Sequence, residues 1–295
     1  MTVLTWDTVG GRQYQTGVSK GVLYIPDSTG AYINGYAWNG LTGVTEAPSG
    51  AAPTPKYADN IKYLNLISTE EFAGTIEAYM YPDAFAQCDG TATPTPGVYV
   101  TQQSRKTFGL SYRTQLGNDV AALDYGYKLH LVYGALAEPS QKAYATVNDT
   151  PEAIVFQWKF STTPVAVTGL KNSALIVIDS TKVDATALGL LEQALYGTSG
   201  ASAYLPSPDA VIAFFSGTVT TVVTASPTFV AGTGVITIPT IAGVQFKRAD
   251  TGVNVANGST VTIATSGASL VIQAVPLTGY IFSPTSDADW TFTRS

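Results

Sequence analysis

The sequence predicts a mainly β fold with a flanking α-helix and a small immunoglobulin-like β-sandwich at its C-terminal end, and three observations carry that prediction. Apolar and polar residues alternate with period two in several stretches, 28 Gly and 16 Pro punctuate the 295 residues, and only one long stretch has the spacing and caps of a helix. Residues 22–25 read as the first strand. Over residues 72–80 the even positions are small or apolar while Thr75, Glu77 and Tyr79 face the other way, as in a half-buried strand. Residues 108–113, 127–133 and 154–160 repeat the pattern, and residues 174–178, apolar throughout, predict a central strand covered on both faces. The helix is expected to follow Asp184, a capping residue. Leu188, Leu191 and Leu195 share one stripe, and Gly197 sits where a helix stops. Gly189 costs this helix about 1 kcal/mol relative to Ala, so packing must hold it. A shorter helical turn is predicted at Pro82-Asp83.

Residues 42–59 behave differently. They carry Gly43, Pro48, Gly50, Pro53 and Pro55 with hardly a large apolar side chain, which predicts a mobile surface loop or a segment that orders only against a neighbouring subunit.

Charge divides the chain. The net charge is -6, and charged residues make up 12%, about half the ~25% typical of soluble domains. After Gly217, Lys247, Arg248 and Arg294 balance Asp250, Asp287 and Asp289, so the whole acidic excess lies before that point. Composition therefore predicts two domains, 1–217 and 218–295. The second should hold short strands at 235–238, 261–263 and 270–275, with turns at Asp250-Thr-Gly252 and Asn257-Gly258. A negative chain does not grip phosphates, because affinity for DNA comes largely from Lys and Arg displacing counterions.

Composition also argues against several chemistries. With one cysteine, Cys88, and one histidine, His130, neither an internal disulfide nor a zinc site is expected, so no metal or other cofactor is assigned. The N-terminus lacks a basic and an apolar signal region, and no apolar run is long enough to cross a bilayer, so a soluble chain without membrane insertion is expected. Gly17-Val-Ser19-Lys-Gly21 matches the nucleophile-elbow pattern, but that motif needs a strand before it, a helix after it, and an acid and a histidine later in the chain. His130 reads instead as a hydrogen-bonded strand residue. Glu70 and Glu71 are adjacent, so in a strand they point to opposite faces and cannot flank one sugar ring. No nucleophile, base and orienting group are expected to assemble around the single histidine, which argues against an enzyme. Asn148-Asp-Thr150 and Asn257-Gly-Ser259 are glycosylation sequons by pattern only.

A series of motifs is more specific. Trp38-Asn-Gly-Leu-Thr42, Tyr57-Ala-Asp-Asn-Ile-Lys-Tyr63, Thr75-Ile-Glu-Ala-Tyr79, Tyr81-Pro-Asp83, Cys88-Asp-Gly90 and Arg105-Lys-Thr-Phe-Gly109 come first. Gly126-Tyr-Lys128, His130-Leu-Val-Tyr-Gly134, Asn148-Asp-Thr-Pro-Glu-Ala153, Ser161-Thr-Thr-Pro164 and Ile178-Asp-Ser-Thr-Lys-Val-Asp184 follow. In this order, over residues 3–215, the chain resembles the tail tube proteins of long-tailed phages of actinobacteria. The resemblance implies a tail-tube-type β-sandwich or barrel subunit, six copies of which form a ring. Rings stack into a hollow tube that double-stranded DNA crosses without specific binding. It also implies a tape measure protein and a tail terminator as partners, and a virion location after assembly in the host cytoplasm. A long loop between early strands reaches the adjacent ring in that family, so Glu46, Pro48, Pro53, Lys56, Tyr57 and Asp59 become inter-ring contact candidates. Residues after 217 resemble the immunoglobulin-like additions of phage tail proteins. There Tyr280, Phe282 and Trp290 are the aromatics placed to stack on sugars of a cell envelope; the other reading, which aromatic burial favours, is that Trp290 and Phe292 plug the sandwich core. Two other readings of the β-rich acidic chain are a capsid decoration subunit and a secreted carbohydrate- or cell-surface-binding module. The latter predicts an export signal.

Overall fold

The computed structural model describes residues 3–50, 52–147, 149–150, 152–217, 220–277, 279–283 and 286–295. Ala51 of the expected loop, Asn148 and Pro151 of one motif, and Thr218 at the expected domain start lie outside the described residues. The fold is mainly β.

In chain order the first strands are β1 (Gln13–Ile25), β2 (Asn34–Ala37), β3 (Leu41–Glu46), β4 (Ser49–Gly50), β5 (Pro53–Ala58), β6 (Ile61–Ile67), β7 (Glu70–Glu71) and β8 (Ala73–Ala78). A 3-10 turn (Asp83–Gln87) follows at the expected place. Then come β9 (Ala92–Thr95), β10 (Val98–Val100), β11 (Phe108–Asn118), β12 (Ala122–Ala137), β13 (Phe156–Thr162) and β14 (Leu175–Asp179). The main sheet runs β2-β1-β11-β12-β13-β8-β3, with β14 paired to β12 off that path. Residues 174–178 are therefore no fully covered central strand: Ala174 and Ile178 are buried, but Val177 is exposed, because β14 is a short branch on one long strand.

The chain forms two compact units, one of Met1–Gly21, Ala37–Asp124 and His130–Val177, the other of Val22–Tyr36, Tyr125–Leu129 and Ile178–Ser295. The compositional boundary at 217/218 lies inside the second unit. Strands β1 and β12 pass covalently from one unit to the other.

The core of the first unit is aromatic. Trp158 on β13 is fully buried, with Phe85, Tyr81, Trp38 and Phe156 rings centred 5.2 to 5.8 Å away. Most of these pairs meet edge to face, the arrangement that ring quadrupoles favour. Period-two alternation places them: on β8, Gly74, Ile76 and Ala78 are buried and Thr75 and Glu77 are not, and Trp158 pairs with Ile76 across the strands. Gly74 is needed at its position, since a Cβ there would meet Thr45 O at 2.6 Å and the Phe160 ring at 2.7 Å. The motif Gly17-Val-Ser19-Lys-Gly21 lies wholly within β1, so no nucleophile elbow forms.

The second unit holds α1 (Ala185–Tyr196) and α2 (Pro208–Phe215). Asp184 accepts the Ala187 N–H at 2.8 Å and Gly197 ends α1 at φ 78°, as the sequence predicts, with Leu188, Leu191 and Leu195 buried. Tyr24 donates its hydroxyl to Leu195 O at 2.8 Å. Helix α2 is an addition to the sequence reading; Ser207 caps it and Pro208 opens its first turn.

The remaining strands are β15 (Thr220–Val222), β16 (Thr228–Val230), β17 (Val235–Thr237), β18 (Val244–Arg248), β19 (Asn254–Val255), β20 (Thr260–Thr262), β21 (Ser269–Pro276), β22 (Tyr280–Phe282) and β23 (Asp289–Thr293). A three-stranded sheet, β16-β17-β20, and a four-stranded sheet, β19-β18-β21-β23, share a buried cluster around Ile236, Phe246 and Ile272. Phe282, Trp290 and Phe292 pack against this cluster, with Trp290 6.1 Å from Phe246 and Phe292 5.1 Å from Phe229. Tyr280 is half-buried on β22, its ring against the backbone at Gly243, where a Cβ would meet it at 2.2 Å. Tyr280, Phe282 and Trp290 are each half-buried. On the opposite face of the four-stranded sheet, Lys247, Gln273 and Asp289 form one transverse row, paired in register.

Candidate functional site

The most distinctive surface of the first unit grows from residues 41–78. Strand β3 pairs with β8 as far as Glu46↔Gly74, β4 pairs with β7 through Ser49↔Glu71, and β5 pairs with β6 from Pro53↔Ile67 to Ala58↔Ile61. The three ladders make one long hairpin arm. Asp59 and Asn60 turn it with φ of 51° and 64°, the left-handed pair that a two-residue type I′ turn requires and that Asp and Asn tolerate best after Gly. The ladder slips between Lys56 and Tyr57, leaving Tyr63 as the extra residue of a bulge.

This overturns the expected loop. Residues 42–59 taken alone do not show their partner strand 61–67, and Pro53 and Pro55 are compatible with a strand that is paired on one side only. The outer arm buries nothing of its own: every residue of β5 and β6 is exposed, including Tyr57 at 70%, Ile61 at 64%, Tyr63 at 69% and Ile67 at 70%. Of the candidate contact residues, Pro48, Pro53, Lys56 and Tyr57 lie exposed along the arm and Asp59 lies at its tip. Sequence reasoning missed Ile61, Tyr63, Leu66 and Ile67, the apolar half of the arm.

Glu46 stands apart from the others. It sits at the root of the arm, where the Tyr112 hydroxyl donates to Glu46 Oε1 at 2.6 Å and His130 Nδ1 lies 2.9 Å from the same oxygen. The His130 ring stacks on Tyr112 at 4.6 Å, and its Nε2 is 3.0 Å from Thr114 Oγ1, which also accepts from Gln15 Nε2 at 2.5 Å. An acid, a histidine and a hydroxyl are thus brought together after all, contrary to the sequence expectation. Their contacts link β1, β3, β11 and β12, with the Glu46 and Thr114 oxygens each shared by two residues of the sheet. Burial, and then the Glu46 carboxylate, push the Tyr112 phenol well above its ordinary value.

A second polar knot lies beside Tyr81 of the aromatic core. Asp89 is nearly buried and takes Arg105 Nη1 at 3.3 Å and Lys142 Nζ at 2.6 Å, one cation on each oxygen. Lys142 also lies 5.7 Å above the Tyr81 ring. Burial alone would lower the Lys142 ammonium; Asp89 more than offsets that and holds it above its ordinary value. Neighbouring Cys88 is buried and its thiol is pushed up to about 12, so it stays protonated and inert.

Among the described residues no group of three or more His, Cys, Asp or Glu is placed to hold a metal ion, and no helix is long and apolar enough to cross a membrane. No family model matches the chain, and no curated protein matches it.

Proposed function

We propose that this chain is a structural subunit of a phage tail tube, one of six copies in a ring, with rings stacked into the conduit through which double-stranded DNA leaves the virion. The observation that carries the reading is the arm. A two-stranded hairpin alone in water is marginal at best, and exposed apolar side chains such as Ile61, Tyr63 and Ile67 stabilise nothing until another surface covers them. A sister copy is the cover the reading supplies. The ordered motifs over residues 3–215 support the same class, and a tape measure protein and a tail terminator are then the further partners. The main sheet ends at β2 and β3, whose outer edges offer backbone groups to a neighbouring strand. In this reading the Glu46, Tyr112 and His130 knot is structural and aims the arm from its root. The net charge of -6 per chain, multiplied around a ring, repels DNA phosphates and lets the duplex slide.

Negative-stain microscopy with sedimentation of the purified full chain tests the proposal. Rings or hollow filaments are expected. A chain that remains monomeric at every attainable concentration, and also in the presence of tube fragments purified from virions, overturns it.

A further inference from the structure

Within the second unit, the loop after β1 and strand β18 set a carboxyl and an amine in direct contact. Lys247 Nζ lies 2.5 Å from Asp27 Oδ2, and the two side chains retain only 6% and 5% exposure. Lys247 reaches this place by strand alternation: Phe246 enters the sandwich core, so its neighbour faces the other way. The rest of its transverse row fixes the approach. Gln273 donates to Ile33 O at 3.2 Å, and Asp289 accepts from Ser202 N at 2.8 Å and from Ser202 Oγ at 2.7 Å. The other oxygen of Asp27 is held as tightly: Oδ1 accepts from Thr29 N at 2.8 Å, Thr29 Oγ1 at 2.7 Å and Ala31 N at 3.0 Å.

We propose that Lys247 and Asp27 condense into an amide, a covalent crosslink that the folded chain makes in itself. Burial raises the Asp27 carboxyl, but hydrogen bonds from Lys247, Thr29 and Ala31 outweigh it, so Asp27 starts as a carboxylate. One ammonium proton passes along the short contact to Oδ2, leaving a neutral amine beside a neutral carboxyl, a minor form that the reaction draws on. The nitrogen lone pair then attacks Cγ. Negative charge gathers on Oδ1, where two backbone N–H groups and the Thr29 hydroxyl already point, the arrangement that stabilises a tetrahedral oxyanion. A second proton moves from nitrogen to Oδ2, the Cγ–Oδ2 bond breaks with its electron pair, and one water departs. The amide keeps the third hydrogen of the former ammonium, so no external oxidant or activating reagent is required. Gln273, opposite Lys247 in register, leaves Oε1 buried without a partner among the described residues, an acceptor available to the new amide N–H.

The Lys142–Asp89 pair of the first unit is a built-in contrast. Its contact is nearly as short, at 2.6 Å, yet Arg105 holds the second oxygen as a permanent cation and Lys142 keeps 28% exposure. The partly exposed Lys142 stays solvated as an ammonium, held above its ordinary value by Asp89. That pair stays ionic.

Intact-mass measurement of the denatured full chain decides the matter. The expected mass is lower than that of the sequence by one water. Tryptic digestion should give a branched peptide joining residues 21–56 to residues 183–248, because a modified Lys247 is not cleaved. Asp27→Ala and Lys247→Arg should each restore the full mass. A wild-type mass equal to that of the sequence overturns the proposal, and so does a one-water loss confined to a single linear peptide, as a succinimide would give.

Discussion

The first unit contains two β-ladders that carry apolar side chains and are treated oppositely by the fold. Along β8 and β13 the inward positions are Ile76, Ala78, Trp158 and Phe160, all buried among aromatic rings. Along β5 and β6, Tyr57, Ile61, Tyr63 and Ile67 are similarly apolar and remain in solvent. Alternation specifies a strand but does not specify which surface will cover it. The core ladder is completed within the chain, and the arm is completed, in the proposed assembly, by another copy. Stability and assembly should therefore separate cleanly by mutation.

The largest effect is expected in the core. Trp158→Ala removes the ring around which Phe85, Tyr81, Trp38 and Phe156 gather, and should cost about 3–5 kcal/mol in denaturant unfolding. Trp158→Phe should cost distinctly less: the indole N–H has no acceptor among the described residues, so no hydrogen bond is lost with it. Equal losses for the two substitutions would show that the ring's volume is not what the core uses. Next comes the knot at Asp89. Asp89→Asn leaves Arg105 and Lys142 facing each other without the counter-charge and should cost about 1–3 kcal/mol, discounted from a fully buried pair because both cations are partly exposed.

Much of the core ladder is legible in sequence and little of the knots is. The alternation of residues 72–80 names the buried side of β8, and Asp184 with Gly197 brackets α1 to the residue. Helix α2 carries the same kind of signal in Ser207, Pro208 and Asp209, but its apolar run 211–215 reads equally well as a buried strand. The arm is hidden by its composition, since Gly and Pro mask β5 until β6 is set against it. Contacts such as Lys247 with Asp27, 220 residues apart, or Glu46 with His130, leave no local pattern, because only tertiary pairing brings those side chains together.

The root of the arm gives a smaller effect with a pH signature. Tyr112→Phe removes one hydrogen bond to Glu46 and should cost about 1 kcal/mol at neutral pH. The folded chain holds the Tyr112 phenol above its ordinary value, so the folded state disfavours phenolate. This contribution is whole below about pH 10, the value of an unfolded tyrosine, and is lost as the pH rises from there toward the folded value. Wild type should therefore lose more stability than Tyr112→Phe between neutral and strongly alkaline pH. Parallel curves would remove Tyr112 from the alkaline transition.

The smallest effect on the free chain is expected where the effect on assembly is complete. Ile61→Ser and Ile67→Ser on β6 expose no cavity, because both side chains already lie in solvent at 64% and 70% exposure, and surface changes of this kind stay within about 0.5 kcal/mol. The same two substitutions remove apolar area that any covering copy must bury, and each buried aliphatic side chain contributes roughly 1.5–3 kcal/mol where it is fully covered. An association that uses the arm in every copy loses that amount at each repeat, so filament growth should fail while the thermal unfolding of the monomer is unchanged. A double variant that unfolds earlier than wild type would mean that the arm is covered by its own chain. A double variant that still forms tubes of normal length would mean that the copies meet elsewhere.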